Sequence, residues 1–229
     1  MMRLFEDKLF EHWLDRDSGA VFEDCVFKRC RFENCGISIT ENPARRSIAR
    51  RIELVNCEYA GGLSAAIVED VLVDGLKTHG LLQTWAMVFK HVTLRGRIDR
   101  VMMSNDTAST APSTMRAFEE ANARYYEQVD WALDISRAEF KECDIRGIPA
   151  CLIRRDPETQ VVVTREKALQ GQWRGLDLAG TYWQGWIDLF LKHQTDPDLV
   201  LVAPKRARDF QTQLRGLKLL REAGVAEPG

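Results

Sequence analysis

No stretch of this chain approaches the roughly 20 consecutive apolar residues that a membrane-crossing helix needs. Near its end the strongly apolar run is only Leu199 to Ala203, the length of a buried strand or loop. The first residues are interrupted by Glu6, Asp7, Lys8, Glu11 and Asp15, which leaves no apolar core for a secretory signal. A cytoplasmic location and no membrane partner are therefore expected. An excess of one charge is missing too: 32 Lys and Arg stand against 34 Asp and Glu, a formal charge of -2. That balance gives no general attraction to nucleic acid or acidic membranes. No two of the cysteines Cys25, Cys30, Cys35, Cys57, Cys143 and Cys151 form a C-x-x-C pair, so neither a zinc ribbon nor a thioredoxin motif is spelled. In a reducing compartment they are expected as free thiols. H-E-x-x-H, a Gly-rich phosphate loop and G-x-S-x-G are absent, and His12, His79, His91 and His193 are scattered. No catalytic residue, cofactor or metal is expected.

What is present is ordinary globular material: 229 residues, 45% hydrophobic and 29% charged. That suits one large domain, or a domain with an appendage. Within it runs an unusual period. Written in fives, the early chain reads Ala20-Val-Phe22-Glu-Asp, Cys25-Val-Phe27-Lys-Arg, Cys30-Arg-Phe32-Glu-Asn, Cys35-Gly-Ile37-Ser-Ile. A small residue opens each group and a large apolar one sits at its centre. The frame returns downstream as Leu133-Asp-Ile135-Ser-Arg, Ala138-Glu-Phe140-Lys-Glu, Cys143-Asp-Ile145-Arg-Gly, Ile148-Pro-Ala150.

These two runs resemble the pentapeptide-repeat family. The resemblance implies a mainly β fold, a right-handed parallel β-helix in which each five forms one side of a square coil. The small opener and the central large residue would point inward, placing Phe22, Phe27, Phe32, Ile37, Ile135, Phe140 and Ile145 inside. Stacked coils then bury ladders of like side chains. Between the runs a looser signature persists, as in Leu54-Val-Asn-Cys57-Glu-Tyr59, Val68-Glu-Asp-Val71-Leu-Val73 and Phe89-Lys-His-Val92-Thr-Leu94. Gly61, Gly75, Gly96 and Gly147 follow four of its copies, at corners that need an unusual backbone angle. The gaps are unequal, so a less regular β-helix is an alternative. The cysteines read as small, mildly apolar inward residues rather than a thiolate cluster for a soft metal. Five residues apart, Cys25, Cys30 and Cys35 fall on adjacent sides and form no single ladder.

Three segments follow. Residues 1–19 are expected to be an N-terminal cap. Residues 20–153 are expected to form the β-helix, with a helical insertion over about 104–130 in which Ser113 caps a helix to about Gln128. Residues 154–229 are expected to be a helical region packed on the β-helix, opening with a short strand over Gln160 to Val163. There Trp183, Trp186, Ile187, Phe190 and Leu191 make one apolar stripe. Ala207, Phe210, Leu214, Leu217 and Leu220 make another on a helix from Pro204 to Gly224. The pair would cover an open end of the stack, or serve as a homodimer surface.

For function, the features favour a non-catalytic protein-binding module, with bacterial toxin immunity or scaffolding as versions that rest on analogy. The run "ARRSIARR" is expected in a loop, where Arg45, Arg46, Arg50 and Arg51 would meet another protein with an acidic surface. One alternative is a carbohydrate-active or other β-helix enzyme using Glu53, Glu58, Glu69, Asp70 or Asp74, which otherwise read as solvated rim charges. Some pentapeptide-repeat proteins mimic DNA and protect topoisomerases through an acidic surface. Residues 20–101 hold ten acidic and twelve basic residues, a net +2 of the wrong sign for that role. Nucleic acid is not an expected partner.

Overall fold

β-Branched and aromatic residues dominate the repeating segments, and they fit a pleated surface buried on one side. The computed structural model describes residues 2–107 and 109–228, which are mainly β and form one large, mostly parallel sheet and a separate two-stranded one. The strands come in rows. β1 (Arg3–Glu6), β2 (Leu9–Glu11) and β3 (Leu14–Arg16) pair in parallel with β4 (Val21–Lys28), β5 (Arg31–Glu33) and β6 (Gly36–Ile39). Next come β7 (Ile48–Ala60) and β8 (Gly62–Ser64), then β9 (Ile67–Trp85), β10 (Val88–Ser104) and β11 (Leu133–Ile145), all parallel to their neighbours. One line of facing residues runs Arg3, Cys25, Ile52, Val71, Val92, Leu133 and Ile153, the last in β12 (Ile153–Arg154).

The long strands are not straight. Asp24, Arg29 and Asn34 have φ between 52° and 57°, as do Arg51 and Asn56 close by at 51°. Asp70 and His91 repeat it at 53° and 54°, and Gly75, Gly80 and Gly96 also have positive φ. The left-handed residue recurs every fifth position and bends the strand there. Asp, Asn and His reach this conformation more readily than other side-chain-bearing residues. The period of five is therefore a backbone period as well as a packing one. All four predicted corner glycines, Gly61, Gly75, Gly96 and Gly147, have positive φ.

Of the seven residues expected inside, Ile135, Phe140 and Ile145 are buried, while Phe22, Phe27, Phe32 and Ile37 are half-buried. Phe27 stacks on Phe5 with ring centres 5.1 Å apart, and Phe32 on Phe10 likewise at 5.1 Å. Cys25, Cys30, Cys35 and Cys57 are buried; Cys143 is half-buried and Cys151 is exposed. The thiols of Cys30, Cys35 and Cys57 donate to the carbonyls of Phe5, Phe10 and Phe27 in the preceding row, at 3.5, 3.4 and 3.4 Å. Cysteine at these places thus fills space and reaches a carbonyl, which alanine cannot do.

Four expectations are corrected. Residues 1–19 do not merely cap: 3–16 form the first row of strands. Asp15 is buried there, accepting from Ser38 N at 2.9 Å and from the Ser18 hydroxyl. The inserted helix, α1 (Pro112–Tyr126), begins with Pro112 after Ala111, and no side chain caps it. Proline fits the first turn because its missing N–H would be unpaired anyway. The C-terminal region holds more strand than the one expected over Gln160 to Val163. β13 (Gln160–Thr164) pairs antiparallel with β14 (Asp198–Val202) and with β15 (Glu227–Pro228), and Val200 of β14 meets Ile145 of β11. α2 (Arg165–Gln170), α3 (Trp183–His193) and α4 (Phe210–Glu222) pack against those strands in a second core. Finally, α4 starts at Phe210, six residues later than expected, because residues 204–209 are held by Arg206 instead.

Candidate functional site

The four arginines singled out from the sequence do not converge. Arg45 and Arg46 lie in the connection before β7; Arg45 ends a short 3-10 segment over Pro43–Arg45 and is exposed. Arg46 is buried: it donates to Ala86 O at 3.0 Å and Asn122 Oδ1 at 2.5 Å, with its guanidinium 4.7 Å from the centre of the Phe118 ring. Burial pushes its pKa down to about 10. Arg50 and Arg51 belong to β7, where Arg50 pairs with Glu23 at 2.6 Å and Arg51 grips Asp24 through two nitrogens at 2.8 and 3.0 Å. The reading of one free cationic loop is thereby corrected. Two strand arginines are matched by the preceding row, and a third is a structural tie between that row and α1.

The candidate carboxylates are matched in the same manner. Glu58 accepts from Lys77 and from His79, each at 3.0 Å, and these bonds hold its pKa below the ordinary carboxylate range. Asp74 accepts from Arg95 at 2.9 Å, and Glu69 from the Tyr125 hydroxyl at 3.0 Å. Asp70 faces Nδ1 of His91 at 3.0 Å, whose Nε2 meets Asp130 at 2.7 Å. Of the five, Glu53 alone has no such partner among the described residues. Asp24, Arg51 and Asp70, one row apart at one corner, thus alternate in sign, and His91 stands on the next row. The four histidines share no site, since His12 is an exposed corner and His193 ends α3.

Two surfaces have the composition of binding sites. One is a groove of about 670 Å³ where β10 and β11 meet the C-terminal subdomain, with Arg100, Lys141, Tyr182, Trp186, Arg206 and Arg208 on its wall. Arg206 builds it, donating to Ile98 O at 3.1 Å and pairing with Asp99 at 2.9 Å. Arg100 is 3.5 Å from Glu142, whereas Lys141 and Arg208 have no carboxylate partner among the described residues. The groove joins four separate sequence regions, and no local motif announced it.

The other surface is the free end of the sheet. Met2, Leu4, Leu9, Trp13, Leu14 and Val21 are exposed, and they make up six of the ten exposed large apolar residues among the described residues. They cluster within 20 positions, on and next to a row whose outer edge has no strand beside it among the described residues. The sequence signal was present, in the paired motifs Leu4-Phe5-Glu6 and Leu9-Phe10-Glu11. Phe5 and Phe10 take the inward places, which leaves Leu4 and Leu9 outward. No protein-family model, no characterised protein sequence and no solved structure matches this chain.

Proposed function

We propose that the chain is a non-catalytic protein-binding module, with its sheet wound as a right-handed parallel β-helix of pentapeptide-repeat type, and that it takes its partner at the free end of the sheet. Left-handed corners five residues apart, and parallel rows with inward ladders, support the winding. The observation that carries the function is the concentration of exposed Leu4, Leu9, Trp13 and Leu14 on a row with an unpaired edge. An open strand edge offers a row of N–H and C=O groups to an added strand. In such strand addition the main chain supplies affinity and alternate side chains supply specificity. The partner is then a protein presenting an extended apolar strand, and a toxin is one such partner by analogy alone.

The acidic partner expected from the sequence loses its basis, because Arg46, Arg50 and Arg51 are already engaged. A homodimer through the C-terminal helices fares no better. Trp183, Ile187, Phe190, Leu217 and Leu220 all sit in the second core. The test is affinity capture from native lysate with the intact chain, its folded Leu9→Lys/Trp13→Lys variant and its Arg45→Gln/Arg50→Gln/Arg51→Gln variant. One protein should be retained by the first and third and lost by the second. Equal capture by all three moves the site away from the free end. Turnover of a substrate in a metabolite screen would favour the enzyme reading.

A further inference from the structure

Two ladders of aromatic side chains along the stacked rows are interrupted at the same depth. One runs Phe22, Ala49, Val68, Phe89, and the other Phe5, Phe27, Leu54, Val73, Leu94. Small residues stand where a ring would otherwise fill the interior. Between β7, β9 and β10 the result is a cavity of about 190 Å³, with Ala49, Leu54, Val68, Val71, Val73 and Leu94 in its wall. Every wall atom that reaches the space is apolar. Tyr59 and Thr84 are the polar residues nearest to it, and the Tyr59 hydroxyl is turned to the Cys35 and Gly62 carbonyls.

We propose that this cavity is a binding site for a small uncharged apolar molecule of one or two rings, in the size range from benzene to indole. Close-packed interiors hold few voids larger than a water molecule, so a space this large at one depth is a feature of the packing. Water is not suited to it, since a buried water needs two to four polar partners and the wall supplies none. A somewhat smaller apolar cavity, of about 150 Å³, stays dry and takes benzene or xenon. The absence of polar wall atoms rejects ionised ligands, whose charge would be buried unpaired. Among the wall residues Ile37, Ile52 and Tyr59 are half-buried, whereas Val92, Ile98 and Val101 are buried. The site stands apart from the free end, and it depends on no partner protein.

The experiment uses the full chain with benzene, indole and, as a charged control, benzoate. Benzene and indole should shift the methyl resonances of Val71, Val73 and Leu94 and raise the thermal midpoint, as any ligand selective for the folded state does. Benzoate should do neither. Val68→Phe restores a ring to the first ladder and should weaken benzene binding by about tenfold or more with an unchanged far-ultraviolet spectrum. Ala49→Leu serves as the smaller filling change should Val68→Phe fail to fold. The proposal is overturned if benzene leaves the wall methyls unmoved, or if a folded filling variant binds benzene as the parent does.

Discussion

The Arg46 guanidinium lies 4.7 Å from the centre of the Phe118 ring, far inside the protein, and no carboxylate pairs with it among the described residues. The pair joins the turn before β7 to the inserted α1, and Asn122 and the Ala86 carbonyl complete the arrangement. Removing one partner of a buried hydrogen-bonded charge is costly because the other partners stay buried and unpaired, and a shape-preserving apolar replacement spares only the added loss of packing. Arg46→Ala should therefore cost about 2–3 kcal/mol and speed hydrogen exchange in α1. Arg46→Met should cost clearly less. Equal losses in denaturant titrations of the two variants would mean that the hydrogen bonds, which both variants lose, and not the shape, hold the helix.

The two phenylalanines at equivalent places in the five-residue frame are not equivalent in burial. Phe140 is fully buried, while Phe27 is half-buried in a stack with Phe5. Phe140→Ala should cost about 3–5 kcal/mol, and Phe27→Ala roughly half as much. Equilibrium unfolding of both variants checks the order, and a larger loss for Phe27→Ala would contradict the burial difference.

His12 is an exposed corner residue with φ of 54°. The left-handed conformation costs a side-chain-bearing residue about 1–2 kcal/mol, but glycine enters it freely and loses about 0.5–1 kcal/mol in chain entropy. His12→Gly should thus leave stability nearly unchanged. His12→Val, β-branched, should lose about 1–2 kcal/mol. Identical unfolding midpoints for the two variants would remove the corner from the account.

Burial raises the pKa of Asp196 above its ordinary 3.8, and a hydrogen bond from the Gly147 backbone and attraction to Arg165 only partly oppose it. The folded state then binds this proton more tightly than the unfolded chain. Below pH 3.8 both states are protonated and Asp196 costs nothing. The cost grows as pH rises through 3.8 and levels off above the folded pKa. Asp196→Asn should raise the thermal midpoint at neutral pH and leave it unchanged below pH 3.8. A stabilisation of equal size at both pH values would rule out the ionisation as its cause.

Among the thiols, Cys151 is the exposed one, and Cys25, Cys30, Cys35 and Cys57 are buried. Under native conditions a thiol reagent should modify one site rapidly, and Cys151→Ser should abolish that phase. Denaturation should release the remainder. A fast phase that survives Cys151→Ser would show that the rows open more readily than their burial implies.

The inward pattern was legible wherever it was apolar, since size alternation at every fifth residue is visible in Phe22, Phe27 and Phe32. The corners were harder to read. Only glycines were recognised as left-handed residues, yet Asp24, Arg29 and Asn34 adopt the same conformation. The first row escaped notice because a polar Asp15, satisfied by Ser18 and Ser38, occupies the place after Phe5 and Phe10 where a third ring would continue the frame. The arginine run misled because neighbours in sequence part company on folding. Arg46 turns into the protein, whereas Arg50 and Arg51 lie along a strand whose facing row carries Glu23 and Asp24. No local pattern reveals which cation will find a carboxylate one row away. The antiparallel meeting of Ile145 and Val200 is likewise a long-range event.

The spacing between facing residues is uneven, 27 positions from Cys25 to Ile52 but 19 from Ile52 to Val71, while the contacts run from each row to the next. Pairing of each row with the next makes cohesion local along the sheet, as in a zipper. One terminus of the zipper is fastened by the second core, and the other ends in half-buried rings. Opening should therefore start at β1 and travel inward, so that backbone amide protection climbs from the first row toward β11 and a protease trims the chain from its N-terminal side.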